Sequence, residues 1–586
     1  MKRSLVQLYL SLFALSFSCS SIADTTLASS TSKINPNALY GAWPSNNGSA
    51  QNLDVATSDK LLNVNNVANL TLKFTTFMPD PLGMGQNAVQ STPVVADGII
   101  YVAEAGGTIK AYSEADGHQI FSTVIYDAND SSGQPEFIDE SPVLTKQYLF
   151  IAGKQMHKLD RFTGLEVATP QLYDPSGVSL INGDVQPSQL IVAGNKVIYG
   201  VSFGDETHGN GANFDLAHGR IIAFNQSDLS IAWSLDTTNV NGVQYGPGAS
   251  TFAGGGVDEK RHLLFMPTGN NYAPPISPLS NSLLAIDYNS GKVVWSYQYS
   301  ANDLWGNGGN NVDYDGIHDA DVHGHPQVFS LQLIPGVALS TIDLVGCRGK
   351  DGTYRIFTRD QIPGAKVLPI AQVQLDPMTQ VDGAIQVDPA IANDTLYVVS
   401  ESWVGIPGDP VYPTGPHYSL DYGVIKYGQF GFLLGHLGEA IATVRAIDLR
   451  KLVIYGINQL LLGKQKPTCV GSAPFVPDVN PSGDNICQGT LPSNIVKWTT
   501  VIPGLVPLNS SGVAYDNGVL FIPGGIAGKM YMLNTNNGSI IASMASNPIA
   551  PIPAVGGIAI DNGKVIVPFG VYFGSLKNAI PYGGIS

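Results

Sequence analysis

Short apolar runs separated by turn dipeptides recur along this chain in a fixed order. One unit is a polar or small start, an apolar run, a tight turn and a second apolar run. It appears as "STPVVADGIIYVAE" from Ser91, "ESPVLTKQYLFIAG" from Glu140, "VDPAIANDTLYVVSE" from Val387, "SSGVAYDNGVLFIPGG" from Ser510 and "VGGIAIDNGKVIVPFG" from Val555. Asp-Gly and Asn-Gly at the centre predict two-residue hairpin turns, in which both turn residues take a positive φ. A second unit follows after a gap: "GGTIKAYSEADGHQIFST" from Gly106, "GRIIAFNQSDLSIAWSLD" from Gly219, "NSLLAIDYNSGKVVWSYQ" from Asn281, "ATVRAIDLRKLVIYG" from Ala442 and "AGKMYMLNTNNGSIIASM" from Ala527. Each reads as strand, polar turn, strand, often ending on an aromatic residue.

Joined, the two units make a four-stranded antiparallel sheet repeated along the chain. That repetition predicts an all-β fold, a single β-propeller of about eight four-stranded blades. A β-sandwich also has many hairpins, but it gives no reason for the same order to recur. Trp233, Trp295 and Trp498 end blade strands, where an indole can lie between blades on the neighbouring backbone.

Composition agrees. The 586 residues include 65 Gly and 38 Pro, and only 13% are charged, which suits many strands and turns. The formal net charge of −16 disfavours a nucleic-acid partner. Lys2 and Arg3, the apolar run Leu5 to Phe17 and the small-x-small triplet Ser21-Ile22-Ala23 read as an export signal, residues 1–23, leaving a propeller domain over 24–586. Cys19 is the alternative, as a lipid anchor. No later stretch is apolar for long enough to span a bilayer, so the expected location is periplasmic or secreted. An oxidising compartment favours pairing of Cys469 with Cys487, leaving Cys347 over, and no C-x-x-C-H haem motif is present.

The opening "YGAWPSNNGSAQN", the segment "NVNNVANLTLKFTT" and the run "MPTGNNYAPP" into "SLLAIDYNSGKVVWSYQYSANDLW" resemble the tryptophan-docking propellers of the quinoprotein dehydrogenases, closest to their polyvinyl-alcohol-dehydrogenase-like branch. The resemblance implies bound pyrroloquinoline quinone (PQQ), a calcium or lanthanide ion, an alcohol substrate and a separate electron acceptor. It also implies site residues. "TGNN" makes Asn270 an amide-oxygen metal ligand, and "GVSFGDE" makes Glu206 a metal carboxylate, with Asp205 next to it in register. In "IHDADVHGHPQVF", Asp319 becomes the catalytic base and Asp321 a second carboxylate on the metal side. If that stretch is a strand, the two acids share a face. Asp313 and Asp315 in "VDYDG" are the rival pair. Lys350 falls beside the quinone oxygens, and Phe252 replaces the floor tryptophan.

His318, His323 and His325 in the same stretch could also bind zinc or copper; surface-loop histidines are the expectation set against it. The departures from the family include Phe252, His218 where an arginine is expected, Gly306 after "NDLW" and the missing adjacent cysteine pair. A cofactor-free propeller acting as a binding or assembly scaffold in the cell envelope is therefore the competing function. The insert 417–445 is apolar without period, a lid or a partner surface.

Overall fold

The computed structural model describes residues 43–56, 59–79, 88–126, 135–136, 138, 140–153, 155–168, 171–172, 185–203, 218–251, 253–301, 303–304, 321–362, 364–375, 387–403, 440–470, 487–503, 512–525, 528–545, 556–570 and 582–585. They form a β-propeller. Seven sheets follow one another along the chain, and within each the strands pair in sequence order. We number them as blades 1 to 7, spanning 94–124, 143–172, 185–236, 256–298, 327–374, 390–503 and 514–545. Ladders are antiparallel, apart from Thr468–Cys469, which pairs in parallel with the edge of blade 5.

The expectation of about eight four-stranded blades is corrected here. Seven sheets have four or five strands; the last hairpin, Ala559–Asp561 with Lys564–Ile566, is a two-stranded sheet. The chain then continues into a three-stranded sheet, Pro568–Phe569, Tyr582–Ile585 and Thr76–Pro79, which joins the two ends of the polypeptide. A repeat built from both chain ends leaves no contiguous pattern to find.

The hairpin turns obey their sequence. Asp97-Gly98, Asn517-Gly518 and Asn562-Gly563 all have positive φ at both positions. One stretch does not follow expectation. "ATVRAIDLRKLVIYG" is a strand, Ala440–Asp448, followed by a helix, Leu449–Leu461. Asp448 caps the helix by accepting from the Lys451 N–H at 3.0 Å, and Leu449, Leu452, Val453 and Gly456 form its buried face. The fourth strand of blade 6 arrives only at Val496–Pro503, beyond the disulfide between Cys469 and Cys487 that the sequence predicted. Cys347 is buried and free.

The indoles do lie between blades. Trp233 Nε1 donates to the Tyr288 carbonyl of blade 4 at 2.8 Å, and Trp498 Nε1 to the Thr535 carbonyl of blade 7 at 2.7 Å. Gly291 and Gly538 sit under these two rings, where any Cβ would come within 2.7 Å of the indole. Phe121 covers Gly164 in the same way between blades 1 and 2. The aromatic body excludes water from the blade interface while the N–H is satisfied.

The axis of the ring is filled by the segment 43–56. Its backbone exchanges hydrogen bonds with Val95 of blade 1, Leu144 of blade 2, Val257 of blade 4, Val328 of blade 5, Ile391 of blade 6 and Tyr515 of blade 7. An innermost strand has one edge unpaired within its own blade, so this segment satisfies donors that would otherwise be buried without partners. Among the described residues no helix is long and apolar enough to cross a membrane.

Candidate functional site

Strand alternation sorts the loops. The turns between first and second and between third and fourth strands open on one face, and the remaining loops on the other. The predicted site residues all belong to the second set. Glu206 and Asp205, in the second-to-third-strand loop of blade 3, and Phe252, Asp319, Asp313 and Asp315, in connectors between blades, lie outside the described residues. So do His318, Gly306, residues 1–23 and most of the insert 417–445. Asn270, Asp321 and Lys350 are described, and they meet.

Asn270 sits in the loop between Leu263–Pro267 and Ser282–Asp287 of blade 4. That loop is pinned on both sides. Asn271 donates its amide to the Gly246 and Pro247 carbonyls at 2.8 and 2.9 Å and accepts from the Ser277 N–H at 2.7 Å. The Gly269 N–H donates to the Ser250 carbonyl at 2.8 Å. Lys350 sits in the turn between Thr341–Arg348 and Thr353–Thr358 of blade 5. Asp351 stabilises the turn by accepting from the Thr353 N–H at 3.1 Å and pairing with Arg355 at 2.6 Å, while the Arg355 guanidinium lies 4.1 Å from the Tyr299 ring.

Asp321 lies between them, in the connector that enters blade 5. One oxygen accepts from the Asn270 backbone N–H at 2.8 Å; the other is 3.1 Å from Lys350 Nζ. The Asp321 carbonyl also accepts from the Lys350 N–H at 2.9 Å. All three residues are nearly inaccessible, at 1% for Asn270, 4% for Asp321 and 5% for Lys350. A buried ion pair of this kind has a large desolvation cost, which close geometry and further hydrogen bonds offset. Gly269 lies against the carboxylate: a Cβ there would be 2.8 Å from Asp321 Oδ1. Asp321 is not in a strand, so the shared-face argument drawn from strand alternation does not apply to it.

The donor set suits a hard cation. Asp321 offers carboxylate oxygen and Asn270 an amide oxygen, as calcium and lanthanides require, and Lys350 places a positive charge beside them. The fit is partial among the described residues, where no group of three or more His, Cys, Asp or Glu is placed to hold a metal ion.

The histidines are corrected. His323 and His325 are 3% and 6% exposed and belong to the interior, not to a surface loop. Burial pushes the His323 imidazole well below its ordinary pKa, with Arg348, Lys350 and His325 adding to the effect. His325 Nδ1 bonds Asp388, whose other oxygen accepts from Arg348 Nε at 3.0 Å. Although burial pushes the Asp388 carboxyl up, His325 and Arg348 hold it well below the carboxylate range. Asn47 of the axial segment donates to Asp388 at 3.1 Å, and Asn46 accepts from Thr92 and, at 3.2 Å, from Ser141.

Sequence reasoning passed over this axial cluster, yet a signal existed. Thr92, Ser141, His325 and Asp388 each stand immediately before the proline that leads into an innermost strand. Aligning the repeats on that proline collects the residues that face the axis.

Residues 182–385 match the family described as the PQQ-type glucose/ethanol/alcohol dehydrogenase β-propeller domain. A quinoprotein alcohol dehydrogenase, PedH of Pseudomonas putida, is 24% identical over 297 residues, 44% of this chain and 45% of that protein. The chain thus matches a little under half the length of this curated relative. The quinohemoprotein alcohol dehydrogenase ADHIIG of Pseudomonas putida HK5 superposes with a TM-score of 0.59 at 15% identity, covering 93% of this chain and 79% of that one. A europium-containing methanol dehydrogenase gives 0.58 at 14% identity, covering 93% and 90%. The segment 182–385 carries Asn270, Asp321 and Lys350, and it is this segment that resembles a PQQ-type dehydrogenase propeller, inside a ring whose β-propeller fold these solved structures share.

Proposed function

We propose that this chain is an exported, PQQ-dependent oxidoreductase that oxidises an alcohol, secondary or polymeric alcohols among the substrates to test, and passes electrons to a separate acceptor. The reading takes residues 1–23 as a cleaved signal and 24–586 as the propeller. The observation that carries it is the meeting of Asn270, Asp321 and Lys350, which come from three loops on one face of the ring.

Bound PQQ would supply the hydride acceptor, and a calcium or lanthanide ion the Lewis acid. The chain's own residues do the rest. Asp321 and the Asn270 amide would hold the cation, with Glu206 or Asp205 completing the ligand set. Lys350 places its ammonium where negative charge develops on reduction. Asp319 takes the alcohol proton, a task a carboxylate performs well once water is restricted.

The test is to add PQQ with calcium or a lanthanide to the purified protein and to follow dye reduction with a panel of alcohols. Turnover with one class of alcohol is the expected result. Binding without turnover leaves a degenerate site, and no binding returns the scaffold function.

A further inference from the structure

Asp388 belongs to neither of the two loops that form the Asp321–Lys350 pair, yet it is bonded to the chain on both sides of that pair. It comes from blade 6, where it precedes the innermost strand Ala390–Ala392. One oxygen accepts from Arg348 Nε at 3.0 Å and from the His325 backbone N–H at 3.1 Å. The other accepts from His325 Nδ1 and from Asn47 Nδ2, the latter at 3.1 Å. Arg348 is two residues before Lys350, and His325 is four residues after Asp321. One carboxylate, itself 2% exposed, therefore fixes the base of both segments that carry the ion pair.

We propose that Asp388 is a positioning residue for the cofactor site, holding the Asp321 connector and the Lys350 turn in register through His325 and Arg348. The proposal rests on the reading of the loop face as a PQQ site. Its physical basis is that charge-assisted hydrogen bonds are short and directional, and that a buried arginine left without its carboxylate must move to find another partner. Arg348 is fully buried and packs against Gly324, where a Cβ would come within 2.3 Å of its Cγ. Any shift of Arg348 is thus transmitted to the connector just after Asp321.

The experiment compares Asp388→Asn with Asn47→Ala in the full chain, by hydrogen exchange and by titration with PQQ plus calcium. Asp388→Asn keeps the shape but cannot accept from both His325 Nδ1 and Asn47. Peptides covering 321–326 and 348–352 are expected to exchange at least tenfold faster, while those covering 197–201 and 514–523 stay as in the parent. Affinity for PQQ should fall tenfold or more. Asn47→Ala removes the amide's bonds to Asp388 and to Asn46 and should leave both readouts within twofold.

Unchanged exchange in Asp388→Asn, or equal effects of the two variants, overturns the proposal. If Asp388→Asn does not fold, Arg348→Lys takes its place: the charge stays and the Nε–H is lost. The same peptides should then exchange at least threefold faster, and no change overturns the proposal. Should the parent protein bind no PQQ while exchange in Asp388→Asn rises as expected, the PQQ reading fails and the tie through Asp388 stands.

Discussion

Two charged clusters on opposite faces of the ring are built differently. On the face of the first-to-second-strand turns, Arg261 and Arg359 sit among Asp258, Asp343 and Asp360. Arg261 reaches Asp258, Asp343 and Asp360 at 2.9, 2.7 and 2.6 Å, and Arg359 reaches Asp258 and Asp343 at 2.5 and 2.9 Å. The bonds to these carboxylates push the Arg261 pKa up, and they border a cavity of roughly 500 Å³ that Asp258 and Arg359 help to line. On the loop face one lysine meets one aspartate, both sealed from water, beside an amide. The first arrangement joins blades 4 and 5 through several shared bonds, most of which have a partly exposed partner. The second concentrates charge in a dry place where an added cation or quinone would find oriented partners.

Removing a member of each cluster breaks the comparison most directly. Asp321→Ala leaves the Lys350 ammonium buried without its carboxylate, and about 3 to 5 kcal/mol of stability should be lost in denaturant titrations. PQQ binding should vanish in the same variant.

A third cluster sharpens the contrast, because it has acids without arginines. Asp516 is 1% exposed, and among the described residues neither of its carboxylate oxygens has a hydrogen-bond partner. Burial, with the charge of Asp59 added, pushes its pKa up to about 7. A carboxyl raised in the folded state holds its proton more tightly there, so stability is greatest below the unfolded value near 4 and falls as pH rises toward 7. Asp516→Asn should remove that fall. At pH 8 the variant should be more stable than the parent by about 2 to 4 kcal/mol, and at pH 4 no gain should remain. Melting curves at the two pH values decide.

The smallest effect belongs to Arg261→Ala. Its side chain is partly exposed and Arg359 stays in place, so the loss should be about 1 kcal/mol, shrinking in high salt. A loss as large as that of Asp321→Ala would erase the distinction between the faces.

Legibility followed locality. Hairpins such as Val94–Ala96 with Ile99–Glu104 are read from contiguous residues, because turn chemistry and alternation lie within a dozen positions. The last sheet was miscounted because its strands come from residues 76–79 and 582–585. The helix Leu449–Leu461 hid behind a β-rich run, although Asp448 and the i, i+3, i+4, i+7 spacing of Leu449, Leu452, Val453 and Gly456 announce it. At the site, the family likeness supplied Asn270, Asp321 and Lys350, and these three are in contact. His323 and His325 read as surface residues when their stretch is taken alone; only aligning the repeats on the proline after His325 shows that this connector turns inward toward the axis.

The axial segment also dictates an order of events. Residues 43–56 leave the ribosome early, yet Asn47 bonds a residue 341 positions later, and Asp59, just beyond, accepts from Gly563, 504 positions away. The stretch finds backbone partners in blades 1 and 2 first, but its last ones come only with blades 6 and 7. Such distant pairings make folding slow, and they keep a half-made chain open.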